Sequence, residues 1–124
     1  MAVVVDASAI AAIAFGEPAG QTLIAQVRGE TLLAPTLLDC ELANVALKKI
    51  RRRPDLADAI SISLTAALNL PITRVPVPGA AVFALARQTG LTAYDASYLW
   101  LAQSRDAELV TLDAELQRLT TEAE

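Results

Sequence analysis

Short apolar runs alternate along this chain with longer segments whose apolar residues recur every three or four positions. Val3-Val-Val5 is β-branched, uninterrupted by polar residues and ends at Asp6, the pattern of a buried strand. Asp6-Ala-Ser8 opens a helix through about Phe15, ended by Gly16 and the Glu17-Pro18 step. A second helix is predicted from Gly20 to Val27, closed by Gly29, and a second strand from Thr31 to Ala34. Pro35 suits the first turn of a long helix reaching Arg52. Pro54 starts another helix that fades near Asn69, and Ile72 to Val75 is a third strand. Pro78 and Gly79 begin a helix to about Gln88, punctuated by Gly90. Thr92 to Ser104 is again helical, Leu109-Val110-Thr111 is a fourth strand, and Ala114 to Thr121 is the last helix. There is no internal repeat, linker or low-complexity stretch.

Strands this short and apolar, alternating with helices, predict an α/β fold whose parallel sheet is covered on both faces. Right-handed crossovers then place every strand's C-terminal end on one edge, where ligands bind in such folds. The 124 residues suffice for one domain, residues 1–124. With 54% hydrophobic and 19% charged residues, a substantial core can form and disorder is excluded. Aromatics are only 4%, so the apolar bulk comes from Leu, Val, Ile and Ala, which favours closely packed helices over a β-sandwich.

Absences restrict the chemistry. The chain has no histidine, which removes Ser-His-Asp triads, histidine acid–base work and zinc sites needing imidazole. Cys40 is the sole cysteine and reads as a small buried side chain, leaving no intrachain disulfide and no Fe–S ligation. No phosphate-binding Gly-rich motif occurs among the five glycines. The start of the chain lacks the basic and apolar regions of a signal peptide, and no apolar run reaches a membrane-spanning length. A cytoplasmic protein with no membrane partner is expected.

Four acids remain after these exclusions. Asp6 and Asp113 each follow a strand directly, and each could simply cap the next helix, a contribution of about 1 kcal/mol. Asp95 sits in Thr92-Ala-Tyr-Asp95, which fits a capping box. At 100° per residue it also shares the apolar face of Leu99 and Ala102. Glu41 lies between Leu37 and Val45 beside the core stripe of the long helix, in a sector shared with Asn44 and Lys48. An isolated glutamate there has its pKa raised or takes a partner. Two carboxylates about 4 Å apart repel by about 4 kcal/mol at an effective dielectric near 20. Four acids on one edge therefore call for a divalent cation or a captured proton. With oxygen ligands alone on offer, the expected ion is Mg²⁺ or Mn²⁺, one or two in number.

The chain resembles the PIN domain, and more narrowly the VapC-type toxins of toxin–antitoxin pairs. The resemblance runs from Val3 to about Leu119. It is carried by Val-Val-Asp6-Ala-Ser8, by Pro35-Thr-Leu-Leu-Asp-Cys-Glu41-Leu-Ala-Asn44, by Gly-Leu-Thr-Ala-Tyr94-Asp95-Ala-Ser-Tyr98-Leu and by Leu109-Val-Thr111-Leu-Asp113. It implies a three-layer α/β/α domain whose short parallel sheet has four strands, or five where a further strand follows the last helix. It implies a metal-dependent endoribonuclease with Asp6, Glu41, Asp95 and Asp113 in the acidic, metal-binding and catalytic positions. Asp6 and Asp95 would be the most direct ligands, with Glu41 and Asp113 completing the site or holding water. Ser8 and Thr111 match the small hydroxyl positions that hydrogen-bond these carboxylates. The implied partners are an RNA substrate, a cognate antitoxin and a second copy in a homodimer. With no histidine, a metal ion is the expected generator of the nucleophile.

Ten bases face 14 acids, a net charge of −4, and five of those bases (Lys48, Lys49, Arg51, Arg52 and Arg53) fall within six residues. As a solvated helix end this run complements the macrodipole. As a functional patch it would position RNA phosphates, with Asn44, Lys48, Lys49 and Arg51 as candidates and Lys48, on the Glu41 side, foremost. Tyr94 and Tyr98 could stack on bases, although Tyr98 and Trp100 fit packing or a dimer interface better. Two rivals stand beside the nuclease reading. One is a catalytically degenerate PIN-fold binding module. The other is a Mg²⁺-dependent phosphotransfer domain, against which Asp6 lacks an acidic neighbour and no lysine follows Lys49.

Overall fold

A computed structural model describes residues 1–123, with side chains described through Thr120. Glu124, the last residue of the expected domain, lies outside the described residues. Four strands and seven helices alternate: β1 (Ala2–Val5), α1 (Ala7–Ala14), α2 (Gly20–Val27), β2 (Thr31–Pro35), α3 (Leu38–Arg52), α4 (Ala57–Leu68), β3 (Ile72–Val75), α5 (Gly79–Thr89), α6 (Ala93–Ser104), β4 (Glu108–Val110) and α7 (Ala114–Ala123). A single 3-10 turn, Pro54–Leu56, joins α3 to α4.

The sheet order is β3-β2-β1-β4 and every pairing is parallel. Val3, Val4 and Val5 are all buried although successive side chains point to opposite faces, so both faces of β1 are covered. On one face α6 lies against β1, β2 and β4, with α5 and α7 beside it. On the other, α1 packs with α2, α3 and α4. The result is a three-layer α/β/α domain whose sheet has four strands among the described residues, with no fifth strand among them.

Three boundaries differ from the sequence expectation. Pro35 ends β2 instead of opening α3, because it registers with Val75 of β3 and the following Thr36 N–H donates to the Val75 carbonyl at 3.2 Å. Pairing with β1 ends at Leu33, so the N–H that proline lacks is not required on that side. The Pro54 helix begins as the 3-10 turn before α4. β4 starts at Glu108 and releases Thr111, whose hydroxyl is then free to serve the site.

Local chemistry fixes the remaining ends. Asp6 caps α1 by accepting from the Ala9 N–H at 3.0 Å, and Thr92 caps α6 by accepting from the Asp95 N–H at 3.1 Å. Gly90 ends α5 in the left-handed region, φ 78°. Arg74 on β3 clamps three elements, donating to Asp39 of α3 at 2.8 Å and to the carbonyls of Leu68 and Ile72.

Gly20 opens α2 where α2 meets α1, and a Cβ there would fall 2.6 Å from the Ala12 carbonyl oxygen. Gly20→Ala should therefore destabilise the fold by about 1–3 kcal/mol despite alanine's better helix propensity. Gly79→Ala, where a Cβ meets nothing within 4 Å, should be neutral or stabilising. Urea unfolding midpoints of the two variants test this, and equal midpoints would contradict the close α1–α2 approach.

Candidate active site

The four acids come from four separate stretches of chain and line one cavity of about 160 Å³ together with Ala7, Ser8 and Tyr98. Asp6 enters from the end of β1, Glu41 from the first turn of α3, Asp95 from the first turn of α6, and Asp113 from the start of α7. Parallel strands deliver Asp6 and the β4–α7 segment to the same edge, and the helices that return to the sheet begin there. No lysine or arginine lines this cavity among the described residues.

Asp6 is the fixed point of the site. It is 5% exposed, and its Oδ1 accepts from the Ser8 hydroxyl at 2.7 Å as well as from the Ala9 N–H. Its Oδ2 accepts a short hydrogen bond from the Thr111 hydroxyl. Ser8 and Thr111 are coupled in turn: their hydroxyl oxygens lie 3.4 Å apart, and the Leu112 N–H donates to Ser8 Oγ at 3.0 Å. Burial pushes the Asp6 carboxyl above its usual range; the bonds from Thr111, Ser8 and Ala9 oppose this, and the Asp113 charge adds to it.

Glu41 takes a partner other than Lys48. Its Oε1 accepts from the Tyr98 hydroxyl at 2.5 Å, a contact between residues 57 positions apart in sequence. Burial raises the Glu41 pKa, Tyr98 holds it down, and Asp95 and Asp6 raise it again. Burial and this same bond push the Tyr98 phenol upward, so it remains a donor. Tyr98 is thus both a core residue, 1% exposed, and the support of a site carboxylate, and it is too buried to stack on a base. Its spacing supplies a legible signal: it lies three residues after Asp95 and so follows that acid along one helix face.

Asp95 is half-buried. Burial raises its pKa, and the charges of Asp113 and Asp6 raise it further. Its carboxylate accepts no hydrogen bond among the described residues, so it does not return the Thr92 cap as a capping box would. Asp113 caps α7 through Oδ1, which accepts from the Leu116 N–H at 3.0 Å, while its own N–H donates to Thr111 Oγ1 at 2.9 Å.

The candidate RNA contacts lie elsewhere. Lys49 is committed to Glu17 at 2.9 Å and sits 5.2 Å from the centre of the Phe15 ring. With Arg52 and Arg53 it borders a separate cavity between α1, α3 and α4. Asn44, Lys48 and Arg51 are exposed along α3 and none lines the acidic cavity. Cys40 is exposed, contrary to the buried position expected of it.

An all-oxygen donor set matches a hard divalent cation. Among the described residues no three acidic side chains are gathered closely enough to cage an ion. Mg²⁺ does not require such a cage, since it keeps several waters and commonly takes only one or two carboxylates directly. A carboxylate offers about four acceptor positions. Asp6 uses three, Glu41 and Asp113 one each and Asp95 none, so all four retain capacity toward a cation.

Residues 3–122 match the family model described as PIN domain. Ribonuclease VapC9 of Mycobacterium tuberculosis is 36% identical over 92% of this chain and 87% of its own length. Ribonuclease VapC12 of the same species is 28% identical over 92% of this chain and 88% of its own. The crystal structure of PAE2754 from Pyrobaculum aerophilum superposes with a TM-score of 0.73 at 31% identity, covering 98% of this chain and 97% of that one.

A carboxyl held above its ordinary value (3.8 for Asp, 4.5 for Glu) binds its proton more readily in the folded state than in the unfolded one. Its stabilising effect is complete below the ordinary value and is lost as pH rises through the raised one. Metal-free protein should therefore gain stability from Asp6, Glu41 and Asp95 as pH falls from neutrality toward the ordinary carboxyl values. Thermal unfolding across this range should show a steeper acid-side gain in the wild type than in Asp6→Asn. Identical slopes would contradict the raised proton affinity that burial gives Asp6.

Proposed function

The chain belongs to the PIN domain family, and from that membership we propose that it is a metal-dependent endoribonuclease, the toxin of a toxin–antitoxin pair. One observation carries the proposal: four carboxylates meet in a cavity that no cationic side chain lines among the described residues. Two relatives bear the name ribonuclease, which supports RNA as the substrate. The partners that follow from this reading are a cognate antitoxin and a second copy of the chain. No helix among the described residues is long and apolar enough to cross a membrane.

In this reading Asp6 and Asp95 would hold Mg²⁺ or Mn²⁺, with Glu41 and Asp113 completing the site or holding water. When bound, such an ion supplies positive charge to the phosphodiester's developing oxyanion and lowers the pKa of the attacking water. The chain's own contribution is placement. Ser8, Thr111 and the Ala9 N–H fix both oxygens of Asp6, so the carboxylate need not reorganise when substrate arrives. Tyr98 pins Glu41 Oε1 and leaves Oε2 with no hydrogen bond among the described residues. The raised pKa of Glu41 suits that oxygen to receive the proton of an attacking water, a task no histidine is present to perform. The in-line displacement leaves a 5′-phosphate and a 3′-hydroxyl.

Lys48 stands seven residues beyond Glu41 on α3, about 10 Å along the helix axis. That separation suits a phosphate one or two nucleotides from the cleaved one, with Arg51 and Asn44 on the same exposed stretch. Lys49, already paired with Glu17, contributes less.

Cleavage of a mixed RNA pool should require Mg²⁺ or Mn²⁺, cease with EDTA, and be lost in Asp6→Asn prepared identically. Thr111→Val, which removes one support of Asp6, should lower activity or metal affinity about 10- to 100-fold. Cleavage by Asp6→Asn at the wild-type rate would overturn the proposal.

A further inference from the structure

Two exposed apolar side chains neighbour acids of the cavity in sequence. Tyr94, 65% exposed, directly precedes Asp95, which lines the cavity, whereas Leu112, 40% exposed, lines a separate cavity with Ala19, Leu23 and Gln26. Neither belongs to the hydrophobic core, and the Tyr94 side chain makes no hydrogen bond among the described residues. Tyr94 stands one turn before Tyr98 on α6. Residues four apart share a helix face, and side chains tilt toward the helix N-terminus. Asp95 and Tyr98 both line the cavity, and Tyr94, adjacent to the first and one turn before the second, stands exposed on the same side of α6.

The charge distribution gives this placement a use. The proposed substrate is a polyanion, the chain carries a net charge of −4, and the cavity lining holds carboxylates without a cation among the described residues. No cationic side chain among those lining the cavity can grip the adjoining nucleotides by pairing with a phosphate. Stacking on an aromatic ring is free of this difficulty, since every base presents a π-face and the contact carries no charge requirement. It also requires bases that can be splayed out, as in single strands and loops.

We propose that Tyr94 is the stacking platform for a nucleobase beside the cleaved phosphate. Such a platform takes a base that is splayed out of a duplex. This rests on the ribonuclease reading and identifies the substrate contact that positions RNA at the same cavity. Tyr94 acts on the substrate's base and takes no part in the carboxylate chemistry.

The test uses an oligoribonucleotide spanning a site mapped with the wild-type protein, and matched versions in which one or both bases flanking the cleaved bond are abasic. Tyr94→Ala should raise KM and lower kcat/KM on the intact strand by roughly 5- to 100-fold, while Tyr94→Trp retains activity. The wild type should lose a similar factor on the abasic strand at the stacked position, and Tyr94→Ala should lose little more there. A 2-aminopurine at that position should be quenched by wild type and by Tyr94→Trp but not by Tyr94→Ala. Equal wild-type rates on intact and abasic strands, or equal losses by Tyr94→Ala on both, would overturn the inference and leave the ribonuclease reading intact. Absence of metal-dependent cleavage of any RNA by the wild type would overturn both.

Discussion

Like-charge crowding at one sheet edge is the constraint on which this molecule's organisation turns. Burial raises the proton affinity of Asp6, Glu41 and Asp95, and neighbouring carboxylates, that of Asp113 among them, raise it further. A fold gains nothing in stability from such an arrangement. It is tolerated because the surrounding structure determines each carboxylate's position by other means. Ser8 and Thr111 hold Asp6, Tyr98 holds Glu41, the α6 first turn presents Asp95, and the α7 cap fixes Asp113.

The two readings of each acid are not exclusive. Asp6 caps α1 with Oδ1, and the same side chain forms the wall of the cavity. Asp113 caps α7 and lines the cavity as well. A cap is an economical way to place a functional carboxylate, because the helix start fixes its backbone and the N–H groups there favour negative charge. Asp95 differs. Thr92 satisfies the α6 cap from its own hydroxyl, which leaves the Asp95 carboxylate without a local task.

Much of this was legible in the sequence. The β-branched run before Asp6, the Thr92 cap and Gly90 each obey local rules, and the structure places them as those rules require. The gathering of four acids followed from a parallel sheet, since parallel strands share one C-terminal edge. What the sequence concealed depends on contacts between distant residues. Tyr98 reads as packing until α6 and α3 are set side by side and its hydroxyl meets Glu41. Pro35 reads as a helix opener until β3 supplies Val75 opposite it. The basic run reads as one patch, yet Lys49 turns toward Glu17 and Phe15, thirty-odd residues earlier, and leaves Lys48 and Arg51 on the open side of α3.

The central claim is that the carboxylate cavity is completed by a divalent cation. Calorimetric titration of Mn²⁺ or Mg²⁺ into metal-free protein near neutral pH tests it most directly, with Asp6→Asn and Asp95→Asn as comparisons. The account predicts saturable binding by the wild type, weakened in both variants, and a matching rise in the wild-type unfolding temperature. No saturable binding, or binding that both substitutions leave unchanged, would contradict it.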